Sequence, residues 1–225
     1  MVKLEVCANG LQSALVAQEG GAYRVELCDN LLEGGTTPSY GQIALTRKLL
    51  NIKLYPIIRP RGGDFVYSDL EFEVMKADIL NCKALGCNGV VFGILTRSGT
   101  VDMERCQILL DLAHPLPATF HRAFDNTSDL FQALESCITL GFERILSSGG
   151  EDTAISGAET LKRLIDVAGS RIEVMPGAGL TAGNVAAVVE STGAKAVHGS
   201  FSNDIPYRLT NLNVVQQVVT TLSKL

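Results

Sequence analysis

The sequence predicts a (β/α)8 barrel. Eight short runs rich in β-branched residues recur at intervals of roughly 20–36 residues, the length of one βα unit. A helical pattern with its own start and stop signals follows most of them. No linker or shift in composition interrupts the series, so residues 1–225 read as one domain. Barrels of this kind commonly occupy this length range. The alternative, a doubly wound open sheet, would more often carry fewer strands and a glycine fingerprint after the first. The turn ANGLQ (8–12) has no G-x-G-x-x-G.

In chain order the strand candidates are KLEVC (3–7), YRVELC (23–28), KLYPIIR (53–59), GVVFGIL (89–95), ATFHR (118–122), RILSS (144–148), IEVMP (172–176) and KAVHGS (195–200). Helix punctuation falls between them. Ser68 and Glu71 make a capping box ahead of an apolar-periodic run that stops at Gly86. Asp102 can cap the next helix, and Thr127 or Ser128 the one that ends at Gly141. Thr181 opens another ahead of NVAAVVE, and a last helix near 212–224 closes the chain.

Composition narrows the function classes. The chain is 46% hydrophobic and 19% charged, enough apolar residues for a sizeable core. A net charge of −5 without a basic block argues against nucleic acid as a partner. No apolar run approaches the roughly 18 residues of a membrane span, and MVKLEVC reads as a strand, not a leader. Cys7, Cys28, Cys82, Cys87, Cys106 and Cys137 form no C-x-x-C pair. Scattered thiols in a chain of this size point to a reduced, cytoplasmic setting.

Barrel strands alternate between the lumen and the helix layer, so phase can be read directly. In LEVC, Leu4 and Val6 share one face and Glu5 and Cys7 the other; in VELC, Val25 and Leu27 oppose Glu26 and Cys28. Apolar faces meet the helices, which turns both Glu-x-Cys pairs inward. The same rule places Ile57 and Arg59, Thr119 and His121, and Ala196, His198 and Ser200 in the lumen. Arg122 then faces the other side, and Asp125 falls in the following turn. Glu26, Arg59, His121 and His198 meet near the strand C-termini, where active sites of this fold lie. A cationic neighbour would keep a buried Glu26 ionised. Two readings of this polar set stand side by side: a network that satisfies itself, and a functional mouth. Its convergence from four strands favours the second.

Several βα loops suit a ligand. RPRGGDFVYSD (59–69) is the longest and supplies Arg61 and Asp64; EGGTTPS (33–39) is similar in character. SSGGED (147–152) offers Ser148 and Gly149, and MPGAGL (175–180) offers Gly177 and Gly179 before a helix. Backbone N–H groups there can hold an anion, as the loops after strands seven and eight of barrels often do. Tight turns alone would equally demand those glycines.

The chemistry-bearing residues leave alternatives open. Cys7 and Cys28 lie on adjacent strands, close enough to share a soft ion such as Cu(I), though a buried cysteine is often only a small hydrophobe. Nucleophilic catalysis lacks a G-x-S-x-G or a local Cys–His signature. Acid–base work by His121 with Glu26 or His198 is chemically open, because imidazole ordinarily titrates near neutral pH.

The segments RVELC, EGGTTPS, IRPRGGDFVYSD, GVVFG, TFHRAFD, SSGG, MPGAG and HGS together closely resemble the CutC family, named for copper homeostasis. The likeness runs from the first strand to about residue 201, and IRPRGGDF and TFHRAFD are its most specific parts. It implies a (β/α)8 barrel, a cytoplasmic location, a capacity to form a homodimer, and a link to copper tolerance or Cu(I) binding. No established reaction comes with it. Carried over, the mouth is Glu26, Arg59, Arg61, Asp64, His121, Arg122, Asp125 and His198, with Cys7 and Cys28 as copper thiols. Ser147 stands where many members have threonine, and SFSNDIPYRLTN, after His198-Gly199, is short beside many relatives. Two functions are therefore expected: a cytosolic Cu(I)-binding protein, or a barrel enzyme acting on a small anionic or phosphorylated molecule, with His121 as acid or base and Arg59 as anion clamp.

Overall fold

The computed structural model describes residues 2–202 and 208–225. Among them, eight strands alternate with eight α-helices: β1 (Lys3–Asn9), α1 (Gly10–Glu19), β2 (Arg24–Cys28), α2 (Tyr40–Leu49), β3 (Lys53–Pro56), α3 (Asp69–Ala84), β4 (Val90–Phe92), α4 (Met103–Ala113), β5 (Ala118–Phe120), α5 (Leu130–Leu140), β6 (Arg144–Ser147), α6 (Ala158–Ala168), β7 (Glu173–Pro176), α7 (Val185–Thr192), β8 (Ala196–Gly199) and α8 (Leu212–Leu222). The strands pair in parallel in the orders β3-β2-β1-β8 and β4-β5-β6-β7. Single bridges, Ile57 to Val91 and Gly177 to His198, join the two arcs. The ring therefore runs in sequence order and closes, which is the (β/α)8 barrel the βα repeat predicts.

Alternation sorts the side chains as the strand phases require. Leu4, Val6, Val25 and Leu27 are buried in the large core between sheet and helices. Cys7, Cys28, Tyr55, Ile57 and Val91 form a separate small cluster inside the barrel, and Leu146, Met175 and Ala196 form another. Register sets the depth of each polar group. Glu5 lies opposite Arg24 on β2 and His198 on β8, and Cys7 opposite Glu26.

The helix starts are partly as expected. The capping box at Ser68 and Glu71 is present, and Asp102 caps α4 by accepting from the Arg105 N–H. The cap of α5 is Asp129, one or two residues past the expected Ser128 or Thr127. Its carboxylate accepts from both Phe131 and Gln132, and a carboxylate at a helix N-terminus also meets the positive end of the helix dipole. Gly141, at φ +84°, ends that helix. Thr181 begins a turn, not a helix; its N–H donates to Asn184, and α7 starts at Val185. The short segment after Ser200 falls partly outside the described residues. No helix among those described is long and apolar enough to cross a membrane.

Candidate functional site

At the C-terminal ends of the strands lies a cavity of about 550 Å³. One wall is Cys7, Glu26 and His198, from β1, β2 and β8. One ligand atom from each of these three lies within 4.8 Å of the other two, and all three residues are buried. Alternation explains the grouping: each is an inward position near the top of its strand. His198 is held from below. Its Nδ1 lies 2.7 Å from Glu5 Oε1, and its Nε2 lies 3.5 Å from Glu26 Oε2. Glu5 in turn is ion-paired with Arg24.

Burial works against every charge here, and neighbours decide the outcome. For Glu5, burial alone would raise the carboxyl. Arg24, His198 and Arg144 outweigh it and hold the group well below the usual carboxylate range. For His198, burial would strip the proton, but Glu26, Cys7 and Glu5 reverse this and keep the imidazole protonated well above its ordinary value. Glu26 is pushed up by burial, with the Glu5 carboxylate adding to it against His198. The Cys7 thiol is pushed up by its contact with Cys28 and by burial. Cys7 and Cys28 do meet, with their sulfurs 3.5 Å apart. Cys28 lies behind: it is fully buried, directs its thiol to the Ala8 carbonyl and does not line the cavity.

The cavity is also lined by Arg59, Phe65 and His121. Of the cationic neighbours expected for Glu26, His198 is the one that meets it, while Arg59 is engaged elsewhere. Its guanidinium donates to the carbonyls of Glu33, Gly35 and Gly63, at 2.7–2.9 Å, and stacks on Phe65. Backbone carbonyls of two loops thus hold this charge, which ties 33–35 to the loop after β3. His121 also departs from its expected role. The Ala123 N–H donates to its Nδ1, so the neutral ring carries its proton on Nε2. Burial and the charge of Arg59 push its pKa down to about 3. At neutral pH it is a hydrogen-bond donor, not an acid or a base that titrates there.

β5 stops at Phe120, and a 3-10 turn, Arg122–Asn126, follows. The period-two phase ends with the strand, so Arg122 does not point away as predicted: it swings back and lines the cavity. Its guanidinium bonds Asp125 at 2.8 Å and the Ser148 hydroxyl at 2.8 Å. Asp125 Oδ1 accepts from the Ser147 hydroxyl and from the amides of Ser148 and Gly150. The Gly149 amide donates to Ser147 Oγ. The anion that the SSGG loop was expected to hold is therefore the chain's own carboxylate, and Ser148 and Gly149 do not line the cavity. Arg61 and Asp64 also stay out of it. They bond each other, and Arg61 reaches Glu71 at the start of α3, which folds the long loop onto that helix. Gly177 serves packing: a Cβ there would stand 2.5 Å from Leu146 and 3.3 Å from His198. Gly179 and Ser200 do reach the cavity rim.

Two further inward residues escaped the sequence reading. Arg24 precedes Glu26 by two positions, so alternation alone turns it inward to Glu5. Arg144 lies inside as well, bonded to Glu143, Glu173 and Thr119. The available signal for both was a cation at the first position of a buried strand, in phase with an inward residue two positions on.

Fold and site together define a (β/α)8 barrel protein with a buried thiol, imidazole and carboxylate at the strand C-terminal mouth. The family model described as "CutC family" matches residues 2–203. The chain is 54% identical over 197 residues to a CutC family protein of Chromobacterium violaceum, covering 88% of this chain and 80% of that one. It is 50% identical to the copper homeostasis protein cutC homolog of Homo sapiens, covering 88% and 72%. A crystal structure of CutC from Streptococcus agalactiae superposes with a TM-score of 0.85 at 40% identity, covering 89% of this chain and 99% of that one. The chain belongs to the CutC family.

Proposed function

We propose that this protein is a cytosolic copper homeostasis protein that binds Cu(I) at Cys7 and His198, with Cys28 behind them and Glu26 alongside. The observation that carries this reading is the convergence of Cys7, Glu26 and His198 on one face of the cavity. The donor chemistry fits a soft cation: thiolate selects Cu(I) and an imidazole completes such a site, with Cys7 and His198 giving up their protons as the ion binds. Glu5 on Nδ1 leaves Nε2 of His198 turned to the other two, the outer carboxylate arrangement that fixes metal-binding histidines. Copper is the cargo here, and bound copper would be stored or passed on as Cu(I). The names of the human and mouse relatives support the same reading.

A Cu(I) competition titration tests it. Cys7→Ala and His198→Gln should each weaken binding by on the order of 100-fold, and Glu5→Gln by about 10- to 100-fold, the range for residues that orient metal ligands. Equal affinities in wild type and the Cys7→Ala/Cys28→Ala double variant would remove the thiolate site.

A second reading has its own observation. A cavity of about 550 Å³, lined by Arg59, His121 and Arg122 as well as the thiol, is far larger than one ion needs. It suits a small anionic molecule, bound or transformed there. A thermal-shift screen against phosphorylated metabolites would reveal a ligand by the stability it adds.

A further inference from the structure

Buried polar atoms are nearly always hydrogen-bonded, so each exception needs a reason. Among the described residues four buried side-chain atoms lack a partner: Thr46 Oγ1, Arg59 Nε, Tyr67 Oη and His121 Nε2. Thr46 sits on α2, away from the cavity, but Arg59 and His121 both line it. Both are N–H donors; for Arg59 the Tyr67 hydroxyl beside its guanidinium is the one alternative acceptor. The three other bonds of Arg59 fix its guanidinium, and the Ala123 N–H fixes the imidazole. They are also neighbours. The Phe65 ring packs against both, 4.8 Å from the Arg59 guanidinium and 5.0 Å from the imidazole. A second guanidinium, that of Arg122, follows His121 directly and lines the same cavity.

We propose that this part of the cavity is an oxyanion site: a small organic molecule bearing a carboxylate or phosphate places its anionic oxygens on the Nε–H of Arg59 and the Nε2–H of His121, with Arg122 as the outer cation. The proposal rests on the reading of the mouth as a small-molecule site. It names the ligand class and gives His121 a binding role in place of acid–base work. Two oriented donors beside fixed positive charge suit an acceptor that is negative, because charge-assisted hydrogen bonds are about twice as strong as neutral ones. A neutral imidazole donates without needing a counter-ion, so the site keeps its character across neutral pH. Phe65, half-buried on the loop after β3, packs on both side chains. The remainder of the ligand would extend toward Cys7, Glu26 and His198 in the same cavity.

Isothermal titration with inorganic phosphate and, separately, with malonate provides the test on the full-length protein. Saturable binding of either probe is expected, weakened at least 10-fold in His121→Phe, which keeps an aromatic ring but removes the donor. Arg59→Lys is expected to weaken it as well, since lysine has no Nε–H in that position. Proton–nitrogen spectra of wild-type protein labelled at histidine need no variant: the Nε2–H signal of His121 should move downfield when the probe binds. No saturable binding of either probe, or equal affinity in His121→Phe with an unmoved Nε2–H signal, would overturn the proposal. A crystal soaked with either probe that shows only a water on Nε2 would do the same. Phosphate alone or malonate alone binding would identify the anionic group. Cu(I) titration of His121→Phe keeps the two readings apart, because copper affinity should stay at its wild-type value while the anion is lost.

Discussion

His121 and His198 share one barrel, yet their surroundings drive them in opposite directions. Burial and Arg59 lower His121 to about 3, while carboxylates on both sides raise His198. An unfolded histidine takes a proton near pH 6.5. Between that value and about 3, the unfolded chain therefore holds one more proton at His121 than the folded chain does, and stability falls as pH drops, by about 1.4 kcal/mol per pH unit. His198 has the opposite sign: its contribution is complete below about pH 6.5 and is lost as pH rises through its folded value. Glu5 adds to the acid loss, since its stabilisation is present above the ordinary carboxylate value and disappears as pH falls below it. In His121→Gln, unfolding free energies from urea titrations at pH 4 to 6 should show a slope shallower by about one proton. An unchanged slope would mean that His121 is already charged in the folded protein. Room for the ring comes from Gly93, where a Cβ would stand 2.8 Å from His121 Nδ1 and 3.1 Å from Ala123. Gly93→Ala should cost about 1–3 kcal/mol, as overpacking does, with loss of the Ala123 bond visible as faster exchange of that amide. These two histidines look alike in the sequence. Only their partners from distant strands separate their chemistry.

At the scale of elements, the 3-10 turn after β5 acts as a clamp between two βα loops. Asp125 binds the 147–150 loop and Arg122 together, and it is nearly fully buried at 4% side-chain exposure. Asp125→Ala should cost about 2–4 kcal/mol, because it leaves several buried donors without their carboxylate. Thermal unfolding would measure the loss, and amide exchange at Ser148 and Gly150 should accelerate ahead of the barrel strands. Equal exchange at those two amides would deny Asp125 its clamping role. The same turn shows what a sequence can disclose. All eight strands were legible because β-branched runs and alternation are local properties, and so were the inward positions of Cys7, Glu26 and His198. The capping box of α3 is likewise written within four residues. The path of Arg122 was not legible, since alternation has no meaning once the strand ends at Phe120. Nor was the partner of the SSGG loop: its anion comes from 22 residues earlier in the chain, from a turn whose geometry no local pattern encodes.

Across the whole molecule, the barrel interior joins the ionic layer that holds the strands to the layer that forms the cavity. Glu5 belongs to both. It is paired with Arg24, which also packs over Tyr55 at 4.8 Å and reaches Met175 on the far arc, and it orients His198. Removing one member of a buried pair leaves the other charge without compensation, which typically costs about 3–5 kcal/mol. Arg24→Met should fall in that range by urea unfolding, and so should Glu5→Gln if the pair is the main term. The double variant should cost clearly less than the two added together, since neither uncompensated charge then remains. Strict additivity would show that Arg24 and Glu5 act through separate contacts. The two singles should part company at the cavity: Glu5→Gln loosens His198 directly and weakens Cu(I) binding, whereas Arg24→Met keeps the Glu5 carboxylate on Nδ1 of His198 and should leave most of the affinity intact. Comparable copper loss in both would mean that the site depends on the integrity of the ionic layer as a whole, with Glu5 carrying no separate orienting role.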